Sequence, residues 1–502
     1  MLIYVAVSPI EPTIISRSRH TISRKWISPN AIRVLYRLKE QGYHAYLVGG
    51  GVRDLLLGRE PKDFDIATDA KPNELKKVFR NCRLIGRRFR LAHIHFPTEI
   101  IEVATFRSNT PIEPEAEEPV LEQIALPLEE SSACEAPAGP APGTGEGLSP
   151  AGSAESAQPP HGPFRPRPPH MLKTEDGMIL RDNVFGTPEE DALRRDFTVN
   201  ALFYNIADFS VIDYVGGMED LGNGLIRTIG DPLVRFTEDP VRMVRAVRFA
   251  AMLGFEIEAN TYQAILELKD KVALASPARM YEEVLKLFLL GEGEKTYQLL
   301  RKTGLFSVIF PRLNEWVDTE NDGFPHVWIG KALEWVDGCV QTGRKVEPHI
   351  LFGLMFGQYI EEKAAGLMKT GEPLLESITK TVSGLLSEQA QRVMIPKKVG
   401  LPMRDMYWNQ HRFEKREGKH PRYFLRRPGF VEAYEYLRFS SEATGERGEL
   451  RAWWREFIKT NPLAPTEAKE VQENREKRFK PARKRRRGRG GKNRSAAPKP
   501  KA

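Results

Sequence analysis

The sequence of 502 residues has few cysteines and no long apolar segment. Its three cysteines, Cys82, Cys134 and Cys339, lie far apart and form no Cys-x-x-Cys pair, so neither a disulfide framework nor a zinc site is indicated. The apolar start at residues 1–7 is too short for a signal sequence or a membrane-spanning helix. A P-loop is also excluded, because no Gly-x-x-x-x-Gly-Lys-Ser/Thr motif occurs. These absences predict a soluble protein of a reducing compartment, the cytoplasm.

Charge and proline are unevenly distributed along the chain, whose net charge is +8. Residues 475–502 contain fourteen Lys or Arg and one acid, so the rest of the chain is net negative. Residues 111–170 contain fourteen of the 37 prolines and ten glutamates without aliphatic periodicity, which predicts a disordered acidic insertion. Residues 14–25 are rich in Ser and Arg and contain no acid, so an organellar transit peptide is an alternative interpretation of the N-terminus.

Two kinds of hydrophobic pattern divide the chain, which is long enough for several domains. Residues 45–58 are typical of a buried strand, a turn and a helix start, and residues 99–106, 200–206 and 210–215 of further strands. From Asp239 onward helical periodicity prevails. We therefore expect an α+β fold, with an α/β head followed by an all-helical remainder. The expected bounds are an arm (1–30), a head (31–230, interrupted by the insertion), a neck (231–292), a body (293–460) and a tail (461–502).

The segment GGGVRDLLLGREPKDFDIAT combines a glycine turn with two aspartates. Gly49, Gly50 and Gly51 permit close backbone approach to phosphates at a helix start. Asp63 and Asp65 follow, and in an extended segment such residues face the same side, so their carboxylates project together. A pair of this kind suits Mg²⁺, a hard cation that prefers oxygen ligands. Each piece alone is usually a plain turn or a solvated loop, but the combination predicts a magnesium site.

Phosphoryl transfer with two metal ions needs a further carboxylate, and the sequence offers two candidates. Glu102 lies on a strand that could pair beside the aspartate strand, although an outward-facing glutamate is the alternative. Asp196 follows Arg194 and Arg195, whose planar guanidinium groups suit a triphosphate. Asp196 either joins the catalytic carboxylates or caps the element that follows. The residues alone do not choose between these roles.

A helix is predicted to begin at Asp239 and Pro240, and valines recur at every third position from residue 241. A second stripe beside the valines consists of Arg242, Arg245 and Arg248. Such a stripe could hold the edge of a base and its phosphates. The alternative is that these arginines extend over an ordinary helix surface.

Two further segments are rich in arginine. Residues 84–94 form either a basic hairpin or an element that steers phosphate. The C-terminal tail predicts a disordered segment that binds RNA through counterion release, with a merely solubilising tail as the alternative. The candidate RNA-binding residues of this tail are Arg483, Lys484, Arg485, Arg486, Arg487 and Arg489.

Together these motifs resemble the class II nucleotidyltransferases of the polymerase-β superfamily, which comprise tRNA CCA-adding enzymes and bacterial poly(A) polymerases. The similarity runs from Arg24 to Phe457, outside the insertion. It implies that Asp63 and Asp65 bind the metal, that Asp196 belongs to the active site, and that the neck contacts the base and RNA. The residues implied to contact the nucleotide are Gly49, Gly50, Gly51, Arg53, Arg194, Arg195, Glu238, Asp239, Arg242 and Arg245.

Within this superfamily the sequence is more similar to the bacterial poly(A) polymerases, through residues 84–94, KDFDIAT, IIEVATFR and the arginine-rich C-terminus. This resemblance implies template-independent addition of adenylate from ATP to RNA 3′ ends, with two Mg²⁺ ions and release of pyrophosphate, in bacterial mRNA processing and decay. Addition of CCA to tRNA is the alternative. A non-catalytic RNA-binding protein built on a nucleotidyltransferase scaffold is an alternative of a different class.

Overall fold

The computed structural model describes residues 11–86, 91–108, 171–173, 179–182, 185–321 and 324–463, together with residues 469, 471 and 473. The expected insertion at 111–170, the arginines at 87, 88 and 90 and the basic tail at 475–502 lie outside these described residues. Among the helices that the structure describes, none is long and apolar enough to cross a membrane.

Fourteen strands are present in the described part of the chain. They are β1 Thr13–Ile15, β2 Ala45–Val48, β3 Asp65–Thr68, β4 Cys82–Ile85, β5 Leu91–His95, β6 Ile100–Thr105, β7 Met171–Lys173, β8 Ile179–Asp182, β9 Leu202–Asn205, β10 Val211–Asp213, β11 Leu225–Ile226, β12 Glu256–Ile257, β13 Glu320–Asn321 and β14 Phe324–Pro325. The main sheet has the order β1-β10-β9-β2-β3-β6-β5-β4. Its neighbouring strands are antiparallel except for β3 and β6, which are parallel.

Twenty α-helices accompany these strands in the described residues. They are α1 Pro29–Glu40, α2 Gly50–Leu56, α3 Pro72–Val78, α4 Pro188–Arg194, α5 Gly217–Asn223, α6 Pro232–Glu238, α7 Val241–Leu253, α8 Ala259–Leu268, α9 Pro277–Phe288, α10 Gly293–Lys302, α11 Leu305–Ile309, α12 Pro311–Val317, α13 Trp328–Gln341, α14 Pro348–Met355, α15 Gly357–Lys369, α16 Leu374–Gln389, α17 Lys397–Trp408, α18 His420–Leu425, α19 Phe430–Thr444 and α20 Gly448–Thr460. The α+β fold expected from the sequence is confirmed. The domain bounds stay predictions.

The two faces of the main sheet pack against different partners. Leu47, Ile66 and Val103 are 0–1% exposed and join the largest core cluster, under α1, α2 and α3. Burial of each such side chain stabilises the fold by roughly 1.5–3 kcal/mol. The opposite face buries a smaller cluster that includes Ala67 and Phe106. Because side chains two residues apart along a strand share a face, the carboxylates at positions 65 and 102 lie on this second face.

Helix α7 connects the sheet to the helical half, where it packs against α9 and α10. The valines at 241, 244 and 247 are buried, as their spacing predicts. The helix begins at Val241 with Pro240 at its N-cap position, one residue later than the expected start at Asp239 and Pro240. The Asp239 side chain accepts a hydrogen bond from the Val241 N–H at 3.3 Å from just before that cap. Helices α4 and α6 were not expected from periodicity because each has only seven residues. Their local signals are a Thr187–Glu190 capping box and Asp231 before a proline.

Candidate active site

The glycine turn joins β2 to α2 and brings the backbone close to the candidate site. Gly49 has a φ of +72° and a ψ of −140°, a conformation that side chains other than glycine disfavour. A Cβ atom there would also lie 3.2 Å from Nη1 of Arg195. A Cβ on Gly51 would lie 3.3 Å from the carbonyl oxygen of Asp63. The glycines therefore allow the turn, the aspartate segment and Arg195 to pack directly together.

Three strands align titratable side chains in one row across the sheet. Asp65 on β3 is in register with Glu102 on β6, and Glu102 is in register with His93 on β5. The Nε2 atom of His93 lies 3.1 Å from Oε1 of Glu102. Asp63, two residues before Asp65, is exposed just before β3 begins. The expected pairing of the Glu102 strand beside the aspartate strand is thus confirmed.

Burial and neighbouring carboxylates disfavour the charged form of Asp65. Burial contributes most to raising the pKa of its carboxyl, and Glu102 and Asp63 raise it further, whereas Arg195 lowers it. The resulting pKa is about 6. Charge repulsion of this kind is relieved when a cation binds between carboxylates.

The donor set around Asp65 fits Mg²⁺. In the described ranges no three His, Cys, Asp or Glu side chains are arranged to hold a metal ion by themselves. Mg²⁺ commonly binds through only one or two carboxylates, with water and substrate phosphate completing its coordination. Carboxylate oxygens of the kind that Mg²⁺ prefers are present on Asp65 and on its register partner Glu102.

A cavity of about 440 Å³ lies between the glycine turn, β3 and the neck helices. Six arginines and three aspartates line it, which leaves a surplus of three positive charges. Such a volume and such a charge suit a nucleoside triphosphate. The lining residues, which define the nucleotide cavity, are Gly49, Gly50, Arg53, Asp65, Arg195, Asp196, Asn200, Asp239, Arg242, Arg245, Arg248, Phe249 and Arg279.

Arg53 lines this cavity and is almost completely buried, with 3% of its surface exposed. Its guanidinium group donates to Oδ1 of Asp54, at 2.7 and 2.8 Å, and to Oδ1 of Asn200, at 2.7 Å. It also lies 5.2 Å from the ring centroid of Phe249. These contacts fix a cation beside the glycine turn.

Asp196 is bound to arginine rather than placed in the row of carboxylates. Its Oδ2 accepts from Nε of Arg245 at 2.7 Å, and its Oδ1 accepts from the Phe197 N–H and the Asn200 side chain. Burial alone would raise the pKa of this carboxyl, but Arg245, Arg242 and Asn200 together lower it to about 2. Asp196 is therefore firmly ionised, and it orients Arg245 toward the cavity.

The two arginines that precede Asp196 differ in position. Arg195 lines the nucleotide cavity, and its guanidinium group donates to Oδ2 of Asp191 and to the carbonyl of Asn200. Arg194 is not among the lining residues, but its backbone carbonyl accepts from Arg235 and Arg242. Of this pair, Arg195 is the one whose side chain is placed to meet a phosphate.

The arginine stripe of α7 faces the nucleotide cavity instead of solvent, because Arg242, Arg245 and Arg248 all line it. Asp239 also lines it, and its two carboxylate oxygens accept from the guanidinium group of Arg279, each at 2.7 Å. Glu238 is not a lining residue, and its Oε2 lies 3.0 Å from Nη1 of Arg235.

Helix α9 supports this stripe from behind. Its Glu283 lies 3.9 Å from Nη1 of Arg245 and 3.5 Å from Nε of Arg248. The side chains of Glu283 and Arg248 are 7% and 10% exposed, so both are largely removed from water. The attraction between these charges offsets part of the free-energy cost of removing them from water.

A second cavity, of about 870 Å³, adjoins the first. Four carboxylates and one lysine line it, together with histidine and aromatic side chains. Its charged residues, which define the carboxylate cavity, are Lys62, Asp63, Asp65, Glu99 and Glu102. Asp65 lines both cavities, so the structure places it at their junction.

Five side chains of the site were not singled out from the sequence: Asp191, Asn200, Phe249, Arg279 and Glu283. The first three could have been found, because they lie within or beside the arginine blocks. The other two have no local signal, since α9 meets α7 only through tertiary packing.

Three family models match this chain. The Poly A polymerase head domain matches residues 45–227, and the probable RNA and SrmB-binding site of polymerase A matches residues 254–317. The polymerase A arginine-rich C-terminus matches residues 370–490. The models thus follow one another along the chain in the order of head domain, probable RNA and SrmB-binding site, and arginine-rich C-terminus.

Curated relatives extend over most of the chain. Poly(A) polymerase I of Salmonella typhi is 41% identical over 460 residues, which cover 91% of this chain and 88% of the relative. Poly(A) polymerase I of Haemophilus influenzae is 37% identical over 90% of this chain and 89% of its own length. The CCA-adding enzyme of Bacillus pumilus is 32% identical, but over only 64% of this chain and 66% of its own length.

Solved structures share the fold at lower identity. The Bacillus stearothermophilus CCA-adding enzyme in complex with CTP is 22% identical, has a TM-score of 0.51, and is matched over 90% of this chain and 93% of its own. The Thermotoga maritima CCA-adding enzyme complexed with tRNA has a TM-score of 0.50 at 18% identity, over 90% and 87%. At these identities the likeness concerns the fold alone. From the relatives and the family models, the chain belongs to the bacterial poly(A) polymerase family of nucleotidyltransferases.

Proposed function

We propose that this protein extends RNA 3′ ends with adenylate from ATP, without a template, and releases pyrophosphate. The observation that carries this proposal is the position of Asp65 at the junction of two cavities of opposite charge. The arginine-rich cavity suits the triphosphate, and the carboxylate cavity receives the RNA 3′ hydroxyl. The attacking oxygen and the α-phosphorus then meet beside Asp65.

Adenylate addition is favoured over CCA addition by the extent of the relatives. The proteins named poly(A) polymerase I match nine tenths of this chain, whereas the CCA-adding enzyme of Bacillus pumilus matches under two thirds. The non-catalytic alternative is disfavoured because both aspartates and the arginine-lined cavity are intact.

In this proposal the residues divide the work of phosphoryl transfer. Asp63, Asp65 and Glu102 would hold Mg²⁺, which when bound supplies activation of the hydroxyl and neutralisation of the leaving group. Arg53 and Arg195 bind the phosphate oxygens, and their own hydrogen bonds hold them in place before the nucleotide arrives. Asp196 acts as a positioning residue through Arg245.

Base selection is proposed to lie with Asp239 and Arg242, which offer an acceptor beside a donor in the nucleotide cavity. Adenine and cytosine each present an exocyclic amino donor, whereas guanine and uracil present a carbonyl oxygen there. The pair therefore accepts ATP or CTP and disfavours GTP and UTP. Glu238 contributes indirectly, because it holds Arg235, which donates to the Arg194 and Arg195 carbonyls.

The proposed substrates are ATP and the 3′ ends of mRNA and other transcripts in the bacterial cytoplasm. The tail at 475–502, with its run of arginines from 483 to 489, is proposed to bind the RNA backbone. Removal of residues 475–502 should weaken RNA binding and reduce its salt dependence while the chemical step is spared. An unchanged slope of log Kd against log salt would contradict the role of the tail.

The function is tested with purified protein, RNA, Mg²⁺ and one nucleoside triphosphate at a time. Long tails with ATP alone support the proposal, CCA addition to truncated tRNA supports the alternative enzyme, and no incorporation supports the scaffold. Asp63→Asn and Asp65→Asn should abolish incorporation and leave RNA binding largely intact. Glu60→Gln is the matched control, because Glu60 is an exposed carboxylate of the same loop that lines neither cavity. Activity retained in either aspartate variant would overturn the metal assignment.

A further inference from the structure

The N-terminal arm forms a third cavity, away from the residues assigned to catalysis. It measures about 640 Å³ and is lined by three cations, four apolar or aromatic side chains and a serine. These residues define the arm cleft: Arg17, Ile22, Ser23, Arg24, Lys25, Ile32, Tyr204 and Phe209. Its cations belong to the Ser/Arg-rich stretch at residues 14–25, to which the proposed function assigns no role.

The three cations of the arm cleft are accessible to a ligand and are not neutralised by carboxylates within the described residues. Arg17, Arg24 and Lys25 are all exposed, and no Asp or Glu side chain in the described part of the chain pairs with them. Arg17 donates to the carbonyl of His20 at 2.9 Å, and the Arg24 guanidinium lies 4.6 Å from the Phe209 ring centroid. Three converging cations without carboxylate partners favour a polyanion.

An exposed tryptophan lies beside these cations. Trp26 follows Lys25 in the short 3-10 helix Arg24–Trp26, and 63% of its surface is exposed. Tryptophan is highly buried on average, so this ring is unusually accessible to a ligand. An exposed aromatic ring next to cations is the arrangement by which proteins bind single-stranded nucleic acid, since bases stack on the ring and phosphates meet the charges.

The arm is also connected to the carboxylate cavity. The side chains of Ser28 and Asn30, at the start of α1, both donate to Oε1 of Glu99, the latter at 2.7 Å. Glu99 lines the carboxylate cavity together with Asp63 and Asp65. The segment that carries the cations thus ends at the rim of the cavity proposed to receive the 3′ hydroxyl.

We propose that the arm cleft and Trp26 bind single-stranded RNA upstream of the 3′ end, with phosphates on the three cations and a base on the indole ring. This inference rests on the proposed function, because the carboxylate cavity must receive the RNA end. An acidic protein segment is the other class of polyanion, and the experiment below separates the two.

The test compares two triple variants of the full chain that remove equal charge. The cleft variant is Arg17→Gln/Arg24→Gln/Lys25→Gln, and the control is Arg33→Gln/Arg37→Gln/Lys39→Gln, on exposed positions of α1 that do not line the cleft. Fluorescence anisotropy with oligo(A) of 5 to 20 nucleotides gives Kd at several salt concentrations. Extension of the same primers gives KM and kcat.

The cleft variant should bind the 20-mer at least tenfold more weakly than the control does. Its slope of log Kd against log salt should fall by about 2, as expected for three phosphates on a single strand. KM should lose most of its dependence on primer length while kcat is retained. Trp26→Ala should weaken binding of the 20-mer roughly tenfold, and Trp26→Phe should restore it.

Two results would overturn the inference. One is the same salt slope and length dependence in both triple variants, which would leave an acidic protein as the remaining class of ligand. The other is unchanged binding of the 20-mer in Trp26→Ala, which would refute the stacking of a base on the indole ring. Failure of the wild-type chain to extend any primer would instead overturn the proposed function, because the binding measurements do not depend on extension.

Discussion

Replacement of Asp196 by asparagine tests whether this carboxylate stabilises the fold and positions Arg245 or instead binds the metal ion. The carboxylate accepts two hydrogen bonds through Oδ1 and pairs with Arg245 through Oδ2. Its side chain is only 12% exposed, so solvent screens the pair weakly. Asp196→Asn keeps the shape of the side chain and removes the charge, which leaves Arg245 with Glu283 as its acidic neighbour at 3.9 Å.

The size of the effect follows from the lowered pKa. The Asp196 pKa of about 2 lies below the unfolded value of 3.8, and one pKa unit corresponds to about 1.4 kcal/mol. The ionised carboxylate therefore adds about 2 kcal/mol to the free energy of unfolding. Because the folded pKa is the lower one, this stability is present above pH 3.8 and is lost as the pH falls toward 2. By pH 3 about half of it should remain.

The measurement is urea unfolding of wild type and Asp196→Asn in a series from pH 7 to pH 3. We expect the variant to be less stable by at least about 2 kcal/mol at pH 7, with the difference decreasing below pH 4. Glu60→Gln, an exposed change, should show no such difference. Equal stability at pH 7, or a difference that does not depend on pH, would refute the reasoning.

The same variant separates a positioning role from metal binding. If Asp196 acts through Arg245, Asp196→Asn raises KM for ATP and leaves the affinity for Mn²⁺, measured by calorimetry without nucleotide, unchanged. Glu102→Gln should instead weaken Mn²⁺ binding, because Glu102 is in register with Asp65. The opposite pattern would make Asp196 the third carboxylate.

Three further predictions concern the turn, the base contact and the metal-free state. Gly49→Ala should cost about 1–3 kcal/mol in thermal unfolding and lower kcat, because a φ of +72° is strained for alanine and its Cβ would press on Arg195; unchanged stability would contradict this. Arg279→Gln should reduce the ratio of kcat/KM for ATP over GTP about tenfold, because Asp239 then loses the two hydrogen bonds that hold its acceptor oxygens in place; an unchanged ratio would argue against base contact. With a chelator present, Asp65→Asn should raise the free energy of unfolding by about 3 kcal/mol at pH 8. The reason is that the folded pKa of Asp65, about 6, exceeds the unfolded value of 3.8, so ionisation of this carboxyl destabilises the folded state. The difference in urea unfolding between the variant and wild type should disappear below pH 4, and a difference that persists there would contradict this explanation.

Local sequence patterns predicted many of the strands and helices, because these elements depend mainly on residues that are close in sequence. The alternation of residues 100–105 and the glycine turn after β2 specify strand and helix directly. The i+3 spacing of the arginines on α7 specified a common face, although not whether that face met solvent or a cavity. Packing decided that question, since the adjoining valine stripe is buried and turns the arginines toward the sheet.

Contacts between residues that are distant in sequence could not be predicted from such local patterns. Asp196 and Arg245 are 49 positions apart, and Arg279 and Asp239 are 40 apart. Nothing in the spacing of either pair records that α9 packs on α7 or that the segment after α4 meets the neck. Asp196 illustrates the consequence: the 3-10 helix Thr198–Asn200 that follows it has Phe197 as its N-cap and no side-chain cap hydrogen bond, so the expected capping role is wrong, and the arginine partner determines the charge of Asp196.

The opposite charges of the two adjoining cavities explain why RNA contacts away from the catalytic residues are needed. The nucleotide cavity has three more arginines than aspartates, and the carboxylate cavity has three more carboxylates than lysines. In the proposed reaction, the first attracts a triphosphate, but the second repels an RNA backbone while admitting a neutral 3′ hydroxyl. Affinity for RNA must then come from cations elsewhere, because each phosphate contact adds a salt-dependent gain. The arm cleft provides such cations within the described residues, at a segment hydrogen-bonded to the rim of the repelling cavity.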